Sequence, residues 1–151
     1  MNARKTGTAL LLAACLSFIG PAAAQEDSAT ARKQIEEAFG SIPSYFQVYP
    51  EAALGAGWAL MKGVNLNQNM ALDPKMRELI SLSVAAQIPC NYCVYYHRKA
   101  ALALGASEEE VKEAVLVAAI VRHWSTVLQG SGYDMEAFRT ETDGFFPEKT
   151  N

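Results

Sequence analysis

The feature that most constrains the fold is a long run of helical periodicity in the second half of the chain. Ser107 and Glu110 have the spacing of a capping box, which opens an α-helix. The run then continues to about Leu128, and its apolar side chains recur every three or four residues, at Val111, Ala114, Val115, Ala118 and Val121. Alternating β-branched runs, which would favour strands, are scarce in the chain. The chain is therefore predicted to be all-α.

Signals for the start and end of helices predict further helices in the rest of the chain. Asp73 followed by Pro74 has the form of an N-cap with proline in the first turn. Gly40 and Gly105 are suited to end helices, and Pro89 disfavours helix at the residue before it. The predicted helices cover about 28–39, 51–64, 74–88, 90–104, 108–128 and 134–140. We expect a bundle of about six helices arranged as hairpins.

Composition limits the class of protein and its partners. The chain has 151 residues, of which 50% are hydrophobic, enough for one domain with a real core. The net charge is −3 and no cluster of lysine and arginine is present, so nucleic acid is not an expected partner.

The first residues have the pattern of a cleaved export signal. Arg4 and Lys5 precede an apolar run over residues 8–19, and small residues follow at 22–24. We expect residues 1–24 to be a signal peptide and residues 25–151 to form one exported domain, with the periplasm as the expected location. The apolar run is too short for a stable membrane span. An alternative is a lipoprotein anchored through Cys15, because the residues before it resemble a lipoprotein cleavage box.

Removal of residues 1–24 leaves two cysteines, Cys90 and Cys93, and an even pair in an exported protein is expected to be oxidised. Cys90 should lie at or next to a helix N-terminus because Pro89 precedes it. At about 100° per residue, both cysteines and His97 fall on one helical stripe roughly 60° wide. A structural staple, a metal site and redox catalysis are all compatible with these residue types.

Redox catalysis would use the thiolate of one cysteine. A thiolate attacks a peroxide and becomes a sulfenic acid, which a second thiol converts to a disulfide. The helix dipole favours Cys90 as the attacker, whereas a base one turn away, His97, favours Cys93. Glu78 shares a stripe with Leu82 and two alanines, so its carboxyl is expected to be partly buried and suited to proton transfer.

The other two readings are weaker on physical grounds. A disulfide that closes so short a loop restrains the unfolded chain little, so it would be a poor staple. Zinc could be held by the set Glu78, Cys90, Cys93 and His97. An oxidising compartment disfavours free thiolates, so no metal and no cofactor are expected.

The stretch KMRELISLSVAAQIPCNYCVYYHRKAALALG, residues 75–105, resembles the alkylhydroperoxidase-D-like group of the carboxymuconolactone decarboxylase family. That group has a glutamate, about a dozen residues, and then C-x-x-C-x-x-x-H, matched here by Glu78, Cys90, Cys93 and His97. The resemblance implies a helical fold that assembles into homo-oligomers. It also implies that Cys93 attacks a hydroperoxide, that Cys90 resolves the sulfenic acid, and that His97 and Glu78 relay the proton.

The chain also departs from that pattern. The best-known peroxidases of the group carry a second histidine between the cysteines, and Tyr92 stands there in this chain. Export would remove the protein from cytoplasmic reductants, so the thiol reductant is not identified by the resemblance. The decarboxylase branch lacks the two cysteines, which disfavours that activity. We expect a thiol-dependent peroxidase; the alternatives are a thiol–disulfide exchange protein of the cell envelope and a non-catalytic oligomeric module with a structural disulfide.

Overall fold

The computed structural model describes residues 26–146 and confirms the all-α prediction. Within that range it contains six α-helices, one short 3-10 helix and no strands. The predicted signal peptide and Cys15, the alternative anchor, lie outside the described residues. The described residues form two compact units, residues 26–64 and residues 65–146.

The first unit is a helical hairpin whose ends are set by local hydrogen bonds. The Asp27 carboxylate accepts the Thr30 N–H at 2.8 Å, so Asp27 and not Ser28 is the N-cap of the first helix. Gly40 ends that helix in the left-handed conformation, with φ of 75°. A 3-10 helix lies between the two α-helices. The elements are α1 (Ser28–Phe39), the 3-10 helix (Ser44–Val48) and α2 (Glu51–Val64).

Apolar side chains from all three elements close the core of the first unit. The buried set is Ala31, Ile35, Phe46, Leu54 and Trp58. The rings of Phe46 and Trp58 meet edge to face, with centroids 6.1 Å apart. Gly55 lies so close to the chain entering α1 that an added Cβ would come within 1.7 Å of the Glu26 carbonyl oxygen. The hairpin therefore requires glycine at this position.

The second unit contains the remaining four helices, with the predicted caps in place. Asp73 caps the first of them by accepting the Met76 N–H, and both hydrogen bonds of the Ser107–Glu110 capping box are present. Gly105 has φ of 88°, and its N–H donates to the Leu102 carbonyl in a Schellman turn. The helices are α3 (Pro74–Gln87), α4 (Asn91–Ala103), α5 (Glu108–Ser131) and α6 (Met135–Phe145).

The last two helices extend further than the predicted ends near residues 128 and 140. α5 continues through Gly130 and ends at Gly132, which has φ of 63°. A single glycine inside a helix costs only about 1 kcal/mol, so the end is set by the residue that adopts the left-handed conformation. Among residues 26–146, no helix combines the length and the apolar character that a membrane span requires.

α3 packs against both α4 and α5, and together they form the core of the second unit. The buried apolar residues of this core are Leu79, Leu82, Ala101, Ala106 and Val111. Ala118 of the predicted α5 stripe is also buried, but Val115 and Val121 are exposed. α3 ends beside Ala118, so the later part of α5 extends beyond its helical partner.

Candidate active site

The candidate site forms where the chain turns from α3 into α4. α3 ends at Gln87, and Pro89 prevents its simple continuation. The Cys90 N–H still donates to the Ala85 carbonyl at 3.2 Å, which holds the turn against the end of α3. Cys90 is then the N-cap of α4, as the sequence predicted, and its sulfur accepts the Cys93 N–H at 3.2 Å.

Cys90 and Cys93 form a disulfide in the first turn of α4. Their Cα atoms are 5.3 Å apart, within the usual range for a disulfide. Both residues are partly buried, so the sulfurs lie at the edge of the unit and not in its core. The oxidised pair expected from the cysteine count is therefore present.

Glu78 and His97 form the second contact of the site, and it joins the two helices of the hairpin. Glu78 Oε2 of α3 lies 2.6 Å from His97 Nδ1 of α4. The side chain of Glu78 is 8% exposed and that of His97 is 19% exposed. A buried carboxyl group is costly unless it has a hydrogen-bond partner, and the imidazole supplies one.

The disulfide and the contact between Glu78 and His97 both involve α4. Cys93 and His97 are four residues apart within α4, so they lie on the same face, one turn from each other. The structure thus brings Cys90 to Cys93 and Glu78 to His97. Their catalytic roles remain predictions.

The aromatic residues of the two units differ in burial. Phe46 and Trp58 are buried in the first unit, whereas Tyr95 and Tyr96 of α4 are 69% and 37% exposed. Tyr92, between the cysteines, is 90% exposed. Among residues 26–146 there is no group of three or more histidine, cysteine, aspartate or glutamate side chains arranged to hold a metal ion.

Four polar residues around the site were missed in the sequence. Arg77 is buried, donates to the Leu72 and Asn65 carbonyls, and has an Nε atom without a hydrogen-bond partner among the described residues. The other three, Ser83, Gln87 and Arg122, connect α3 to α5. No local signal marks these last three residues, because their partners in α5 or α3 are 31 to 35 residues away.

The chain is similar to several known proteins. The chain is 39% identical to the alkyl hydroperoxide reductase AhpD of Anaeromyxobacter sp. (strain K) over 76 residues, which are 48% of this chain and 41% of that protein. It is 40% identical to the uncharacterized protein 4 in the cox locus of Paracoccus denitrificans over 52 residues, 34% of this chain and 47% of that protein. The chain thus spans less than half the length of these curated relatives.

A solved structure matches over a larger share of the chain. The crystal structure of the alkylhydroperoxidase AhpD core from Rhodospirillum rubrum aligns with a TM-score of 0.64 and 25% identity, covering 74% of this chain and 85% of that one. The model of the carboxymuconolactone decarboxylase family matches residues 49–133, more than half of the chain and all of the site described above. The chain belongs to the carboxymuconolactone decarboxylase family.

Proposed function

We propose that this protein is a thiol-dependent peroxidase that reduces hydroperoxides through a Cys90–Cys93 dithiol/disulfide cycle. Family membership supports alkylhydroperoxidase-type chemistry at a general level. The observation that carries the specific proposal is the 2.6 Å contact between Glu78 and His97, one helical turn from a disulfide at the start of α4.

The hydrogen bond to Glu78 determines which ring nitrogen of His97 is available to accept a proton. A carboxylate only accepts hydrogen bonds, so it favours the tautomer in which Nδ1 of His97 carries the proton. The lone pair of the neutral ring is then on Nε2, which can take a proton from a thiol. The carboxylate also stabilises the imidazolium that this transfer produces. In our proposal Nε2 of His97 deprotonates Cys93 once the disulfide has been reduced.

The cycle begins with reduction of the disulfide by an external dithiol, which is itself oxidised to a disulfide and leaves two protein thiols. The Cys93 thiolate attacks one peroxide oxygen, and the O–O bond breaks. The leaving alkoxide takes the proton held by His97 and departs as an alcohol. The Cys90 thiol then attacks the sulfenic acid of Cys93 and expels water. One hydroperoxide and two thiols thus become one alcohol, one water and one disulfide.

The exposure of Tyr92 supports a cycle that uses a single imidazole. This residue stands where the best-known peroxidases of the group have a histidine. Its side chain is 90% exposed, and a phenol is a much weaker base than an imidazole near neutral pH. We propose that His97 alone serves as the base.

Peroxide consumption with dithiothreitol as the reductant tests the proposal. Wild type is expected to turn over, and Cys93→Ser is expected to abolish turnover. Cys90→Ser that has been reduced and then freed of dithiothreitol should still consume one equivalent of peroxide and stop at the sulfenic acid, which a sulfenic-acid-specific reagent would trap on Cys93. Wild-type rates in both variants would eliminate the proposal.

A second candidate function is thiol–disulfide exchange with other proteins. Tyr92 and Tyr95, both beside the disulfide in sequence, are 90% and 69% exposed, and exposed tyrosines are favoured at protein contacts. Turnover of a disulfide-bonded protein substrate without any peroxide consumption would select this function. Peroxide consumption that is unaffected by such a substrate would select the peroxidase.

We also propose that the protein is exported and acts as a homo-oligomer. The export proposal rests on residues 1–24, and the mass of the exported protein would show whether it begins at Gln25 or carries a lipid on Cys15. The oligomer proposal is supported by exposed apolar side chains along α5, among them Val117, Val121 and Trp124. Light scattering should give a multiple of the chain mass, and Val121→Glu should reduce it.

A further inference from the structure

Two polar side chains of α3 hold it to α5 in a fixed register. Ser83 Oγ lies 2.8 Å from the Ala114 carbonyl oxygen, and Gln87 Nε2 donates to the Ala118 carbonyl. The two donors are one helical turn apart, and so are the two acceptors. A shift of one helix along the other would break both hydrogen bonds.

Arg122 completes this contact at the end nearest the disulfide. Its Nε donates to Gln87 Oε1 at 2.6 Å, and its NH2 group donates to the Gln87 main-chain carbonyl at 3.0 Å. One planar guanidinium therefore binds both the side chain and the main chain of the last residue of α3. The Gln87 carbonyl is one of those that a helix C-terminus leaves without an internal partner.

The contact between Arg122 and Gln87 lies three residues before Cys90. Between Gln87 and Cys90 the chain makes two further hydrogen bonds back to α3, from the Ile88 N–H to Val84 and from the Cys90 N–H to Ala85. The start of α4 is thus connected to the end of α3, and the end of α3 to α5. Cys93 lies in α4 and is placed by that helix, whereas Cys90 lies at the turn.

We propose that Arg122 and Gln87 are positioning residues that hold the turn so that Cys90 is within bonding distance of Cys93. Fixing the turn raises the effective concentration of one sulfur at the other, which favours the disulfide over the dithiol. In this proposal they act on the turn and have no direct part in the chemistry. The proposal rests on the proposed function only in requiring that the disulfide opens and closes.

The test is the redox equilibrium of the protein with dithiothreitol, without peroxide. In this exchange the protein disulfide breaks, the cyclic disulfide of dithiothreitol forms, and two electrons and two protons pass to the protein. Arg122→Met and Gln87→Met are each expected to lower the oxidised-to-reduced ratio about five-fold, the equilibrium effect of roughly one net hydrogen bond. Alkylation of free thiols followed by mass spectrometry gives the ratio.

Lys75→Met is the matched control. Lys75 Nζ binds Glu110 Oε1 at 2.7 Å, so it also joins α3 to α5, but at the end of α3 remote from the disulfide. Its loss should lower thermal stability without changing the redox ratio. Arg122→Lys keeps the charge but cannot bind two acceptors in the same planar geometry, so it should behave like Arg122→Met.

Three results would overturn the proposal. The first is an unchanged ratio in Arg122→Met and Gln87→Met, or a shift that Lys75→Met reproduces. The second is a wild-type ratio in Arg122→Lys, which would mean that charge alone matters. The third is a higher oxidised fraction in Arg122→Met. Should Arg122→Met not fold, Gln87→Met and Arg122→Lys decide the matter. A protein without peroxidase activity that still shows the predicted shift would leave this inference standing.

Discussion

The two units each bring an acidic side chain together with a nitrogen base, but the contacts differ in what they can do. In the first unit Lys62 Nζ binds both Glu26 carboxylate oxygens at 3.1 Å and the Gln34 side-chain oxygen at 2.6 Å. The same Gln34 oxygen accepts the Trp58 ring N–H at 2.8 Å. In the second unit Glu78 binds an imidazole and is more deeply buried.

The difference is in the partner of the carboxylate. A lysine ammonium keeps its charge through the physiological pH range, so the Glu26 network is a permanent contact that holds α1 to α2. Histidine gains and loses its proton in that range, so Glu78 is paired with a group that can transfer one. In our proposal the partly buried Glu26 beside a lysine has a structural role, whereas the buried Glu78 beside a histidine serves proton transfer. The following predictions test this contrast, from the largest expected effect to the smallest.

Replacement of the histidine should have the largest effect. His97→Gln is expected to slow oxidation of the pre-reduced protein by peroxide by about a hundred-fold or more, because the base for the thiol is lost. Rapid-mixing measurement of disulfide formation in a single turnover gives this rate without dependence on a reductant. His123→Gln, at the other histidine of the chain, is the matched control and should react at the wild-type rate. Equal rates in the two variants would remove His97 from the mechanism.

The two acids should respond differently to the same isosteric change. Glu78→Gln is expected to slow the single-turnover rate by about ten-fold to a hundred-fold, because a neutral amide still orients the ring but does not stabilise imidazolium. Glu26→Gln should leave the rate unchanged and lower the free energy of unfolding by about 1 kcal/mol. Both quantities can be measured on one preparation, by rapid mixing and by urea denaturation. If Glu26→Gln lost as much rate as Glu78→Gln, the proposed difference between a structural and a catalytic carboxylate would be wrong.

A packing change in the first unit should affect stability alone. Gly55→Ala puts a Cβ where the Glu26 carbonyl lies and should lower the free energy of unfolding by about 2 kcal/mol, in spite of the better helix propensity of alanine. Gly63→Ala, also in α2, has open space around its added Cβ and should be neutral or stabilising. Urea denaturation compares the two. A neutral Gly55→Ala would mean that the Glu26 main chain moves away at little cost.

The smallest effect concerns two ion pairs at the surface, one in each unit, of which the second is partly buried. A hydrogen bond from Arg32 lowers the pKa of Glu51, and one from Lys75 lowers the pKa of Glu110, both below the ordinary 4.5. Since the folded pKa values are the lower ones, each pair stabilises the protein above pH 4.5 and ceases to do so as the pH falls through the lowered value. Glu51→Gln and Glu110→Gln should therefore reduce the urea midpoint at pH 7 and approach wild type at lower pH. A difference that stays constant with pH would contradict the assigned pairs.

Much of the helical framework was predictable because it depends on neighbours in the chain. The bounds of α1 and α2, the Asp73 cap and the Ser107–Glu110 capping box are all decided within four residues. The errors were also local in origin. The predicted end of α5, near Leu128, is too early, because Gly130 continues the helix and only Gly132 adopts the left-handed conformation that ends it.

The disulfide and the position of Cys93 one turn from His97 could also be predicted from the sequence, since both lie within two turns of one helix. The contact between Glu78 and His97 could be expected only in outline, from a proline that turns one helix back on another. Gln87 and Arg122 could not be found at all, because a polar residue on a helix surface carries no mark of a distant partner.

The sequence by itself determined the helices, their caps and the spacing of the two sulfurs and the imidazole, because hydrogen bonds and side-chain periodicity act over a few residues. Only the tertiary structure decided that Glu78 would be buried against His97 and that Arg122 would form hydrogen bonds with the last residue of α3. Those contacts join residues 19 and 35 positions apart. The first exists because packing α3 against α4 removes water from Glu78 and leaves its carboxylate in need of a partner. The second exists because packing α3 against α5 brings Arg122 to a carbonyl that the end of α3 leaves without an internal partner.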